Sequence, residues 1–127
     1  MSGNKKSLSC LSEVYYALSA SRRCHVIRLL ANSEDGTFSV RDIAREIAAI
    51  EEDVPPDRAT GEPYRNVYNA LSQTHLPTLS NTDIIIYDSD RQTVAPGPNM
   101  HLASLLIVLS QATYQTFQRN SIPDLDV

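Results

Sequence analysis

The chain has 127 residues, 42% of them hydrophobic, and a net charge of −4. That length and composition allow one domain with a real core and argue against a disordered segment. The acidity argues against a tight non-specific nucleic-acid binder, although it leaves room for a local basic face.

The opening residues, 1–8, are polar and are expected to be disordered. Leu11, Val14, Tyr15 and Leu18 recur at helical spacing, which predicts a short helix near 9–18. Ser19 has the character of an N-cap for a second helix near 20–32. The inward face of that helix is read as Cys24, Ile27, Leu30 and Ala31, with Arg22, His25 and Arg28 pointing away. A loop over 32–36 leads to Thr37-Phe38-Ser39, which is short and β-prone. Ser39 and Asp42 then match a capping box. The helix they open runs to about Glu52 on a stripe of Val40, Ile43, Ile47 and Ile50, with Ala44 and Ala48 permitting close helix approach.

Pro55-Pro56 breaks any helix, so an acidic loop of about ten residues follows. Pro63 suits the first turn of the next helix, 63–76. Tyr64, Val67, Ala70, Leu71 and Thr74 fall on its inner face, and Arg65, Asn66, Asn69, Ser72 and Gln73 on its outer one. Pro77 is expected to kink or end that helix near Leu76, with Asn81 or Asp83 turning the chain in a left-handed conformation. Residues 84–95 read as a β-hairpin with its turn at Asp88-Ser89-Asp90-Arg91 and Gln92 starting the returning strand. Asn99 is expected to cap a last helix over about 100–119, leaving 120–127 as a tail. The middle of that helix is apolar nearly all round, which is the pattern of a helix buried on more than one side.

This order predicts an α+β, mostly α fold. It is a winged helix-turn-helix over 9–98 with a two-stranded β wing, a short strand near 37–39 on the wing's edge, and an extra C-terminal helix over 99–119. The segments "ALSASRRCHVIRLL", "VRDIAREIAAIE", "VYNALSQTHLPTL" and "IIIYDSDRQTVAP" carry a resemblance. Over residues 14–96 the chain resembles a haloarchaeal winged-helix domain family of undefined function. The resemblance implies a transcription-regulator-like fold, and fits an acidic chain poor in lysine. The long acidic loop departs from the tight turn of ordinary bacterial regulators.

The expected function is a DNA-binding transcriptional regulator acting as a homodimer on double-stranded DNA. Arg, Asn and Gln make bidentate contacts to base edges, so Arg65, Asn66, Asn69 and Gln73 are the expected readers. Tyr64, Tyr68 and Ser72 are expected on phosphates, with Arg91 reaching DNA from the wing tip. Arg22, Arg23 and Arg28 are expected to add phosphate contacts from the second helix. Leu102, Leu105, Leu106, Val108, Leu109, Thr113 and Phe117 are expected to form the dimer interface. The alternative is a winged-helix protein–protein module that does not bind DNA, which the acidic loop over 51–62 and the acidic wing tip, Asp88 and Asp90, would suit.

No enzyme, metal or cofactor is expected: His25, His75 and His101 are scattered, and no glycine-rich phosphate loop or HExxH occurs. Cys10 and Cys24 form no CxxC and are read as small core residues of a reducing compartment rather than a redox pair. The longest apolar stretch, Leu102 to Ala112, is too short to span a bilayer, and no secretory leader pattern opens the sequence. A cytoplasmic protein is expected.

Overall fold

The computed structural model describes residues 11–33 and 36–125, without the side chains of Phe117 and 119–125. The expectations for residues 1–8 and for a Cys10–Cys24 pair lie outside the described residues. The chain is helical over 11–17 (α1). Then come α2 (Ser21–Ala31), β1 (Phe38–Ser39), α3 (Val40–Glu52), a 3₁₀ turn (Pro56–Arg58) and α4 (Gly61–Ala70). A π-helical turn (Leu71–His75) and α5 (Leu76–Asn81) precede β2 (Ile85–Asp88), β3 (Thr93–Pro96) and α6 (Met100–Leu125). The protein is therefore α+β and mostly α. Among the described residues no helix is long and apolar enough to cross a membrane.

The three strands form an antiparallel sheet in the order β1-β3-β2. Phe38 faces Val94 and Ser39 faces Thr93, so the short strand does pair onto the hairpin's edge. Ser39 then opens α3, its hydroxyl accepting from the Asp42 N–H at 3.0 Å. Val40, Ile43, Ala44, Ile47 and Ala48 are buried along α3, which packs against α4. Ile50 departs from the expected stripe and is 53% exposed. It sits in the last turn, where Asp53 ends the helix at φ 56°.

Two further departures concern Ser19 and Pro77. Ser19 does not cap α2; Ala20 holds that position, and the Ser19 hydroxyl donates to Tyr16 O at 2.6 Å. Pro77 does not end the helix. Leu76 N–H bonds back to Leu71 O, a π-type step. This wider turn carries the helix past the ring that would otherwise press on the Gln73 carbonyl. The Thr78 hydroxyl binds Thr74 O at 2.8 Å, so one carbonyl beside the proline keeps a partner. Helical backbone is thus continuous from Gly61 to Asn81. It is Asp83, at φ 61°, that turns the chain toward β2.

The last helix also differs. It continues past 119 to Leu125, and Pro123 forfeits only one bond in the final turn. Its buried face is Met100, Ala103 and Ile107, while Leu105, Val108 and Leu109 are more than half exposed. Asn99 does not cap with its side chain, which donates to Thr82 O at 2.9 Å.

Candidate nucleic-acid interface

The inner face of α4 is fixed by Val67, with Leu71 continuing it into the π turn; both are essentially fully buried. With these two inward, Arg65, Asn66, Asn69 and Gln73 point outward and all four are exposed. Their spacing puts them on one side of the helix. Among the described residues no side-chain hydrogen bond or ion pair engages any of them, so their donors and acceptors are open to solvent. Tyr64 is half-buried and lies 6.1 Å from Tyr68, ring centre to ring centre. Arg91 stands at the hairpin tip, 83% exposed, with Asp88 3.9 Å away.

Tyr68 and Ser72 are placed differently from the expectation. The Tyr68 hydroxyl donates to Gln92 Oε1 at 2.8 Å, and the Ser72 hydroxyl donates to the same oxygen at 3.3 Å. A hydroxyl has one proton, so neither keeps a donor for a phosphate oxygen. Gln92 itself is the residue that sequence reasoning missed. It sits in the turn rather than starting the strand, at φ 53°. Its Nε2 donates to Ser89 O at 2.7 Å and to the Tyr87 hydroxyl at 3.0 Å. Its carbonyl accepts from Val40 N–H at 2.9 Å. One side chain thereby ties the hairpin turn to α4, and its backbone ties both to the start of α3. No local sequence signal marks its bridging role, because Tyr68, Ser72 and Val40 are far from it in the chain.

The three arginines of α2 are equally distinct. Arg22 makes a two-pronged bond to Glu51, at 2.7 and 2.8 Å, joining α2 to α3. Arg22 holds Glu51 below the usual carboxylate range, and the pairing pushes Arg22 up. Its charge is compensated and ill suited to a phosphate. Arg23 is only 6% exposed. It donates to Ala17 O at 2.7 Å, Tyr16 O at 3.4 Å and the Ser19 hydroxyl at 3.3 Å, which excludes it from any DNA contact. Arg28 is exposed but on the α6 side of the molecule, lining a cleft with Ile107 and Gln111.

Basic groups that sequence reasoning left aside lie closer to α4. Arg41 and Arg45, one turn apart on α3, line a hollow of about 360 Å³ with Thr60, Gly61 and Tyr64. Neither arginine has an ion-pair or hydrogen-bond partner among the described residues. The signal was available: Arg41 and Arg45 share the polar side of a helix whose apolar stripe was read correctly through Ile47.

His75, in the π turn, faces Arg23 at 3.3 Å from Nη1 to Nδ1. A guanidinium only donates, so Nδ1 accepts and the neutral ring carries its proton on Nε2. Burial first, and then the charges of Arg23 and Arg22, push the His75 pKa below its ordinary 6.5. A His that is harder to protonate when folded stabilises the fold above about pH 6.5 and loses that contribution as pH falls through the lower folded value. Denaturant melts of wild type should therefore weaken below pH 6.5 more than those of His75→Gln. Parallel pH profiles for the two would refute this.

The described chain is an α+β protein presenting a polar helix face beside a β-hairpin. It belongs to the family described as a domain of unknown function, DUF7344, whose model matches residues 15–95. That span runs from α1 through nearly all of β3 and leaves α6 outside. No curated protein and no solved structure matches the chain.

Proposed function

We propose that the chain is a DNA-binding transcriptional regulator with a winged helix-turn-helix, α3 and α4 forming the helix-turn-helix and β2–β3 the wing. The observation that carries this reading is the outer face of α4. Arg65, Asn66, Asn69 and Gln73 are exposed and uncommitted there, on a helix held by Val67 and Leu71. These side-chain types match the donor and acceptor patterns of guanine and adenine in the major groove. Arg91 would reach the backbone from the wing tip. Arg41 and Arg45 would take the phosphate contacts first expected of Arg22 and Arg23.

Arg65→Ala is expected to weaken specific binding to the gene's own upstream DNA by about 1–3 kcal/mol. Fluorescence anisotropy against that DNA and a scrambled duplex is the measurement. Equal affinity of wild type and variant would remove Arg65 from the interface.

Homodimerisation through α6 belongs to the same proposal. Leu105, Val108 and Leu109 expose a continuous apolar strip, with Leu102 and Leu106 half-buried at its edge and Thr113 exposed beyond it. Phe117 falls on the same helix, but its side chain lies outside the described residues. A two-fold dimer would set two α4 helices to meet the same side of a duplex, ~34 Å apart for adjacent turns. Val108 is already exposed, so Val108→Asp should leave the fold intact while light scattering shows the mass fall from two chains to one. An unchanged dimer mass would overturn the α6 interface.

A second reading is a winged-helix module that binds a protein. Ile50 and Ile86 are more than half exposed, and the exposed acids Glu52 and Asp53 follow the first of them. Such a mixed apolar and acidic surface would repel phosphate and suit a basic protein partner. Absence of binding to upstream DNA at every salt concentration would favour it.

A further inference from the structure

We propose that the cleft between α2 and α6 binds a small organic anion with an apolar body, of the aromatic carboxylate class. The cleft measures about 500 Å³, within the range of small-molecule sites. Tyr15, Leu18 and Ile107 supply its apolar surface, and His25, Arg28 and Gln111 its polar groups. His25 and Arg28 are neighbours one turn apart on α2, so their ring and guanidinium converge on the same opening.

The charge of the cleft has one sign. Among the described residues no carboxylate lines it. Arg28 has no ion-pair or hydrogen-bond partner among the described residues, unlike Arg22 and Arg23 nearby. An uncompensated guanidinium beside an apolar wall fits a ligand that is anionic at one end and apolar at the other. The Cys24 thiol that also lines the cleft donates to Leu18 O at 3.3 Å and is pushed up by burial, so it acts there as a neutral wall. The cleft shares no residue with the outer face of α4 or with the hairpin. It does share Tyr15 and Ser110 with the apolar strip of α6, so an occupant would touch the proposed dimer surface.

Ligand binding is read on the protein alone and is independent of whether α4 meets DNA. The probes are 2-naphthoate and its neutral amide, titrated into full-length ¹⁵N-labelled protein and followed by amide chemical shifts. Saturable shifts with naphthoate should cluster on Ser21, Arg28 and Gln111. Affinity should fall roughly tenfold or more for the amide, and likewise for naphthoate with Arg28→Gln, because a charge-assisted bond is lost in each case. Arg28 is exposed, so the variant should keep the wild-type spectrum elsewhere. Absence of saturable binding, equal affinity for acid and amide, or an unaffected Arg28→Gln would overturn the site. Binding by a Val108→Asp monomer but not by the wild-type dimer would overturn it too, because the cleft would then receive a second copy of the chain.

Discussion

Arg23→Met should lower the unfolding free energy by about 3 kcal/mol, the largest effect expected of any polar substitution in the described chain. Arg23 is a buried cation with no carboxylate partner among the described residues. Its hydrogen bonds go instead to the carbonyls of Ala17 and Tyr16 at the end of α1, to Ser19 and to His75. Its charge lies at the carbonyl end of α1, where the helix dipole favours a cation. The guanidinium is also 5.6 Å from the centre of the Tyr16 ring. Methionine fills much of the same volume but leaves the Ala17 carbonyl without its donor, while Tyr16 O keeps the Ser19 hydroxyl and N–H. Loss of partners at a buried site costs more than a made bond contributes, because desolvation is then uncompensated. Arg23→Lys, which keeps the charge but not the fork, should fall between the two. Denaturant melts decide it: a midpoint for Arg23→Met equal to wild type would show that α1 is held by Val14 and Ala17 alone.

Arg23 also shows where the sequence was hard to read. It shares a helix face with Val26, Ile27 and Leu30, all buried. Reading hydrophobic residues alone rotated the inward face toward Cys24 and Ala31, because an arginine is ordinarily evidence of an outer face. The α6 helix fails for another reason. With apolar residues almost all round, its periodicity has no dominant direction, and Met100, Ala103 and Ile107 could not be told apart from Leu102, Leu105 and Leu109. Where one face is apolar and the other polar, phase was legible. Val67 and Leu71 point in on α4, and Arg65, Asn66, Asn69 and Gln73 point out.

Local chemistry was legible when the partner is close in sequence. Ser39 reaches Asp42 three residues on, and Asp83 adopts the left-handed conformation its residue type tolerates. Tyr68 and Ser72 were not, since Gln92 lies 24 and 20 residues away. The same distance effect hid the role of Pro77. A proline predicts the loss of one hydrogen bond, but whether the helix ends or widens depends on what holds its far side. Leu76 and Leu79 are fully buried on either side of Pro77, and α5 packs against β2. That packing retains the helical path, and the π turn absorbs the misfit.

Gly97→Ala should be the most damaging small substitution, costing about 3 kcal/mol through overpacking. A Cβ at position 97 would lie 2.6 Å from Asp83 O and 3.0 Å from the Ile84 carbonyl carbon. Both are backbone atoms, so no side-chain rotation relieves the clash. The segments are also stitched together: Gly97 N–H donates to Ile84 O at 2.8 Å, and Asn99 N–H donates to Asp83 O at 2.8 Å. Moving residue 97 outward stretches both bonds. It also displaces the end of β3 from the start of β2, and with it the hinge between hairpin and α6. Gly36→Ala is the internal control. Gly36 has φ 75° but nothing within 4 Å of the added carbon, so only backbone strain opposes it, at about 1 kcal/mol. Thermal melts should therefore fall by roughly 10 °C or more for Gly97→Ala and by much less for Gly36→Ala. Equal shifts would mean that the close approach at Asp83 relaxes freely, and that the hairpin and α6 are not held in register by this contact.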